Sequence, residues 1–362
     1  DSERPLAKNR KDSQQDNEVI LSKAERKMSP VIKVDDMAFP TLQVPDLDLQ
    51  EKFLIDFGLT RVARTDDTLY MRGDGPQAFV HVSKLGDQKF LGNAFYACSM
   101  EDMEKLARTD AFGNIEEMTS PGGGYVTSAT DPDGIGVQVV FGIKNRELES
   151  DLNATELNVG GIERENFRRI NQPKRFSKGA YPRIKRFAHC GLNVTDLEAS
   201  LEWYNQHLGI IASDLLKPGG EGGPLLGVFS RCDRGAKLAD HHSLFFLPAA
   251  TQSNGKSGLN HVSYEMVDID DVFMGHEILD KKGYELEWGI GRHYQGSQIF
   301  DYWRSPFGQI HEHQTDGDGF ENTFPPQVVD VMQDGDPNNP EMGPSQWGPA
   351  INMETFGNER GL

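Results

Sequence analysis

One text occurs twice in this chain, and that repeat constrains the fold more than any other feature. The first copy, MAFPTLQVPDLDLQEKFLIDFGL, runs from Met37 to Leu59. The second, FAHCGLNVTDLEASLEWYNQHLGI, runs from Phe187 to Ile210. Each reads as a short strand, an Asp that can cap a helix, an apolar stripe at helical spacing, and a closing Gly. In the second copy Leu197, Leu201, Tyr204 and Leu208 share one helical face. A related stretch, LNHVSYEMVDIDDVFMGHEIL, leads from a strand with His261 through Asp268 into a helix with Ile269, Val272, Phe273 and Leu279 on one face. Likewise Thr130-Asp131-Pro132-Asp133-Gly134 mirrors Arg304-Ser305-Pro306-Phe307-Gly308. The duplication predicts an α+β protein of two similar halves, each a pair of strand-helix-strands modules.

The halves differ in chemistry. In register, Phe39 stands where the later copy has His189, the region around Ala94 parallels His261, and Gln138 stands where the later copy has Glu312. Nine of the ten histidines lie at or after position 189. Within the second half, Gly289–Asp318 packs His293, Tyr302, Glu312 and two further histidines around a Ser-Pro-Phe-Gly break, which reads as a hairpin lining a site. Alternation along the strand of His189 puts Ala188, Cys190 and Leu192 toward the helix, and the imidazole on the opposite face.

Each residue has a plainer reading. A lone histidine on a strand is usually a hydrogen-bonded structural residue, Tyr302 could be core between Phe300 and Trp303, and His293 could cap a turn. His311 and His313 alternate with Glu312, so they face the other way and read as structural or supporting groups. Two histidines with one carboxylate gain weight together, because that donor set leaves a face of a metal open.

The ordered set resembles the vicinal oxygen chelate superfamily and, within it, the type I extradiol ring-cleaving dioxygenases; the match covers most of residues 34–318. The resemblance implies two tandem glyoxalase-like domains whose βαβββ modules form open, barrel-like sheets. It implies that His189, His261 and Glu312 hold Fe(II), with Mn(II) able to use the same ligands. By the family's spacing, Tyr302 and His293 fall on substrate-binding positions and His242, rather than His241, on the acid/base position. The implied reaction is cleavage of a catechol-type ring by O2 beside its two hydroxyls, giving a semialdehyde or keto acid, in a homo-oligomer. Its rivals are a 4-hydroxyphenylpyruvate dioxygenase, a glyoxalase-type isomerase, and a metal-free small-molecule-binding protein of the same fold. Trp288, Trp303, Phe246 and Phe307 are the residues expected to form an aromatic pocket.

Composition narrows the classes. A chain of 362 residues with a net charge of −19 repels nucleic acid and anionic lipid. It has no apolar run long enough to span a membrane. Cys98, Cys190 and Cys232 are too few and too dispersed for a disulfide framework, so a reducing, cytoplasmic setting is expected. The Asn153 and Asn193 glycosylation triplets are common by chance. The expected organisation is an arm over 1–33 that contributes no core, a metal-free domain over 34–146, a charged linker over 147–180, a catalytic domain over 181–318, and a Pro- and Gly-rich tail over 319–362 that docks through Trp347 and Phe356.

Overall fold

The computed structural model describes residues 29–148, 156–158, 166–176, 179–330, 345–352 and 356. Most of the N-terminal arm and much of the linker lie outside this set. The N-terminal half comprises β1 (Asp36–Val44), α1 (Leu47–Phe57), β2 (Thr60–Arg64), β3 (Thr68–Arg72), β4 (His81–Leu85), β5 (Lys89–Tyr96), α2 (Met100–Ala107), β6 (Glu116–Glu117), β7 (Tyr125–Thr130) and β8 (Gly136–Phe141). The C-terminal half comprises β9 (Ile184–Val194), α3 (Leu197–Leu208), β10 (Ile210–Leu216), β11 (Gly227–Cys232), β12 (Ala239–Asp240), β13 (Leu244–Pro248), α4 (Ala249–Gln252), β14 (Gly258–Met266), α5 (Ile269–Lys282), β15 (Glu285–His293), β16 (Ile299–Arg304) and β17 (Ile310–Thr315). The tail adds β18 (Gly319–Phe320), β19 (Gln327–Val329) and β20 (Ser345–Trp347).

The duplication is visible in the sheets. The first runs β2-β3-β4-β1-β5-β8-β7-β6, and the second runs β10-β11-β13-β9-β14-β17-β16-β15 in the same relative order, with β19 and β20 added at its edges. Register makes the correspondence residue by residue: Phe39 pairs with Ala94, which pairs with Gln138, while His189 pairs with Ser263, which pairs with Glu312. Ala94 therefore corresponds to Ser263. His261, paired with Gly191, corresponds to Gly92, paired with Thr41. Within the region around Ala94, the counterpart of His261 is thus Gly92, two residues away and on the same face of the strand.

The repeated text folds alike because its punctuation is alike. Asp46 caps α1 by accepting from the N–H groups of Asp48 and Leu49, and Asp196 caps α3 by accepting from that of Ala199. Both helices end at a glycine in the left-handed region, Gly58 at φ 115° and Gly209 at φ 69°. All four expected apolar positions of α3 are buried. On α5, Val272 and Leu279 are buried but Phe273 is 49% exposed, because one residue beyond Val272 is a 100° turn away from the sheet.

The expectation of an arm without core fails at its end. Ile32 is buried rather than part of a coreless arm, and the N–H groups of Val31, Ile32 and Val34 donate to the carbonyls of Gln206, His207 and Leu208. These carbonyls end α3 and have no partner within the helix, which is why an apolar segment with free N–H groups settles there. The basic run beyond the linker, which composition alone would place on the surface, is structural at Arg183 and Arg186. Arg183 grips Asp271 (2.8 Å), and Arg186 reaches Glu265 (2.8 Å), Asp240 (2.5 Å) and, across the two halves, Asp36 (3.2 Å).

One apolar core runs through both halves. Phe57 of α1 stacks on His313 of β17 at 3.8 Å, and Tyr204 of α3 donates to Asp131 at 3.1 Å. No helix among the described residues is long and apolar enough to cross a membrane.

Candidate metal centre

The concave face of the C-terminal sheet brings together three buried side chains from three adjacent strands, His189 (β9), His261 (β14) and Glu312 (β17). Alternation places them there: on β17, Glu312 faces inward while His311 and His313 point back at the N-terminal half. There His313 Nε2 lies 2.7 Å from the Phe57 carbonyl, and His311 packs edge-on against Phe53. Those two histidines are structural, as alternation predicts.

The donor atoms are spaced for one ion. His189 Nε2 lies 2.9 Å from Glu312 Oε2 and 3.2 Å from His261 Nε2, and His261 Nε2 is 3.8 Å from the same oxygen. Donors bonded at about 2.1 Å and set at right angles around a metal stand about 3.0 Å apart. Both carboxylate oxygens are buried without a donor in hydrogen-bonding geometry, a costly state that a cation would relieve. Burial lowers the His261 pKa to about 3, against a smaller opposing pull from Glu312, so the ring is neutral with a lone pair to offer. Burial alone would raise the Glu312 pKa, but the neighbouring imidazoles His189, His293 and His261 outweigh it and hold the carboxyl well below its usual range. Two imidazoles and one carboxylate gathered around one point fit a divalent cation of the iron or manganese type.

The supporting residues are less visible in the sequence. His261 Nδ1 faces Asn260 Oδ1 at 2.8 Å, which fixes the tautomer that leaves Nε2 free toward the centre. Gly191 makes room for the ring: a Cβ there would stand 2.7 Å from His261 Cε1 and Nδ1. A glycine beside a ligand strand was the available signal, but only strand register shows which ring it faces.

Around the triad, His293 Nε2 and the Tyr302 hydroxyl are 2.8 Å apart, and His293 is 3.8 Å from Glu312 Oε1. The rings of His242 and His189 lie 4.1 Å apart. His241 points away, its Nε2 3.0 Å from Asp214 and its Nδ1 3.0 Å from His242 Nδ1. Both histidines precede β13, which starts at Leu244, so strand alternation does not govern them. Burial, reinforced by His189 and His241, depresses the His242 pKa well below that of free imidazole.

The expected aromatic pocket needs correction. Trp288 is there, stacked parallel to Tyr302 at 5.6 Å, but Trp303 and Phe246 face the core and Phe307 packs against its edge. Trp303 alternates with Tyr302 and so points to the opposite face of β16, while Phe246 packs on Tyr204 of α3 at 5.4 Å. Phe300 and the tail residue Phe356 complete the wall instead, Phe356 standing edge-on to Tyr302 at 5.1 Å. The tail reaches this position because β20 pairs with β15 and Trp288 Nε1 donates to the Pro349 carbonyl at 2.8 Å. Phe356 docks as its composition suggested, whereas Trp347 remains 42% exposed.

Residues 186–321, the half that holds the triad, match the Glyoxalase/Bleomycin resistance protein/Dioxygenase superfamily. Metapyrocatechase 2 of Cupriavidus necator is 28% identical over 283 residues, spanning 76% of this chain and 79% of the relative. Over most of its length the chain is thus similar to an extradiol dioxygenase of that superfamily. An iron-dependent extradiol dioxygenase of Rhodococcus jostii is 31% identical over 127 residues, 33% of this chain and 39% of the relative. The Mn(II)-bound glyoxalase of Novosphingobium aromaticivorans superposes with a TM-score of 0.67 at 22% identity, over 90% of this chain and 94% of the glyoxalase, which shows the shared fold.

Proposed function

We propose that this protein cleaves the ring of a catechol-type substrate with O2 at one Fe(II), held by His189, His261 and Glu312, and yields a ring-opened semialdehyde or keto acid. The observation that carries this reading is the spacing of three buried donors around one point, with an imidazole–phenol pair and a neutral imidazole on its open side. The iron supplies the coordination positions at which both reactants meet and the electron transfer that ground-state dioxygen requires. Mn(II) could occupy the same donors.

The chain's own residues do the rest. His293 Nε2 and the Tyr302 hydroxyl, 2.8 Å apart beside Glu312, hydrogen-bond the catechol oxygens and fix the ring's orientation. Trp288, Phe300 and Phe356 hold its apolar edge and exclude water. His242, kept neutral by burial against His189, accepts and returns a proton, a role whose loss costs on the order of 10²–10⁴ in rate. Asp214 and His241 hold it from behind.

The test is to load the purified protein anaerobically with Fe(II), present a panel of catechols, and admit ¹⁸O₂. A yellow ring-opened product carrying both labelled atoms is expected. Formation of a dicarboxylic acid by cleavage between the hydroxyls, or unchanged catechol throughout the panel, would refute the assignment.

A further inference from the structure

The N-terminal half has a hollow at the place that corresponds to the metal centre of the C-terminal half. A cavity of about 260 Å³ opens on the concave face of its sheet, lined by Phe39 and Thr41 (β1), Tyr70 (β3), Val82 and Lys84 (β4), Gly92 (β5), Ser128 (β7) and Gln138 (β8), with Phe79, Met118 and Ser120 from the connections. Strand register maps this lining onto the metal centre. Phe39 corresponds to His189, Gly92 to His261, Gln138 to Glu312 and Ser128 to Tyr302, since Ser128 pairs with Gln138 as Tyr302 pairs with Glu312. Phe79 falls on the position of His242, and its contact with Phe39 at 4.7 Å reproduces that of His242 with His189 at 4.1 Å.

We propose that this cavity is a second, metal-free ligand site that binds a single-ring aromatic carboxylate. The replacements remove the metal donors: phenyl rings stand in place of His189 and His242, a glycine in place of His261, and Tyr70 stands edge-on to Phe79 at 5.2 Å, so the walls form an aromatic slot. The volume exceeds the roughly 150 Å³ in which an apolar cavity accommodates benzene. Gln138 offers an uncharged amide where the metal site has a carboxylate, so an anion meets no repulsion there. The Ser120 hydroxyl is buried without a partner. Lys84 stands exposed at the rim, where its charge acts on Asp67 without a close ion pair among the described residues. An ammonium at the rim of an aromatic slot is complementary to a ring bearing a carboxylate.

The proposal is independent of the reading of the metal centre, and equilibrium binding of 4-fluorobenzoate to the full chain tests both separately. Wild-type and Glu312→Gln proteins should each retain this site, with one saturable equivalent that the metal-centre variant does not disturb. Lys84→Glu should weaken binding by about tenfold, the scale of one charge-assisted hydrogen bond. Ser128→Trp, which plugs the mouth from an exposed position, should abolish it. Both of these variants should cleave catechols at the wild-type rate, which also shows that they fold. No saturable binding in the wild type, or binding lost in Glu312→Gln and unchanged in Lys84→Glu and Ser128→Trp, would overturn the site.

Discussion

Gly191 and His242 show at residue scale what holds the centre and what works in it. Because a Cβ on Gly191 would sit 2.7 Å from the His261 ring, Gly191→Ala must rotate that imidazole away from the shared donor point. Metal affinity should fall by about 10–100-fold, the range for a perturbed ligand orientation. Competition with a chelator measures it, and unchanged affinity would mean the ring is not a ligand. His242→Phe should separate binding from turnover: metal content and catechol affinity stay, while single-turnover ring opening slows by on the order of 10²–10⁴. His241→Ala should cost less, because His241 reaches the site only through His242. The sequence points to His189, His261 and Glu312 because their types and order are unusual, but Asn260, Gly191 and Phe356 are ordinary residues whose importance is set by contacts across strands.

At the scale of elements, the site strands rest on a second polar layer behind them. Asp301 is fully buried on the back of β16, where it accepts from Trp303 Nε1 at 2.6 Å and meets His276 Nδ1 of α5 at 3.0 Å. The hydrogen bond to Asp301, with burial opposing it, raises the His276 pKa above its ordinary 6.5. A histidine whose folded pKa is raised contributes stability that is complete below the unfolded value and is lost as pH rises through the folded one. Urea unfolding should therefore show the largest advantage of wild type over His276→Gln near pH 6, shrinking at more alkaline pH. An advantage that grows with pH would contradict the pairing. Helix limits were legible from Asp and Gly punctuation. Which face each residue takes was legible only inside regular strands, so alternation served for His311 and His313 but not for His241 and His242, which lie in a bend.

For the whole molecule, the repeat announced the architecture, and its equal sheet orders follow from equal local text. How the halves interlock was not legible, because contacts such as Phe57 on His313 or Asp36 on Arg186 join residues far apart in sequence. Arg186→Ala would leave Asp36, Asp240 and Glu265 facing one another partly buried. It should cost about 2–4 kcal/mol, read from the denaturation midpoint. Among the described residues only the C-terminal half holds such a donor set, so each chain should hold a single metal although the fold is duplicated. Elemental analysis of Fe(II)-loaded protein, alongside His189→Ala, His261→Ala and Glu312→Ala, tests this most directly. The account predicts one iron per chain in the wild type and none in any folded triad variant; two irons per chain, or full iron in one of the three variants, would contradict it.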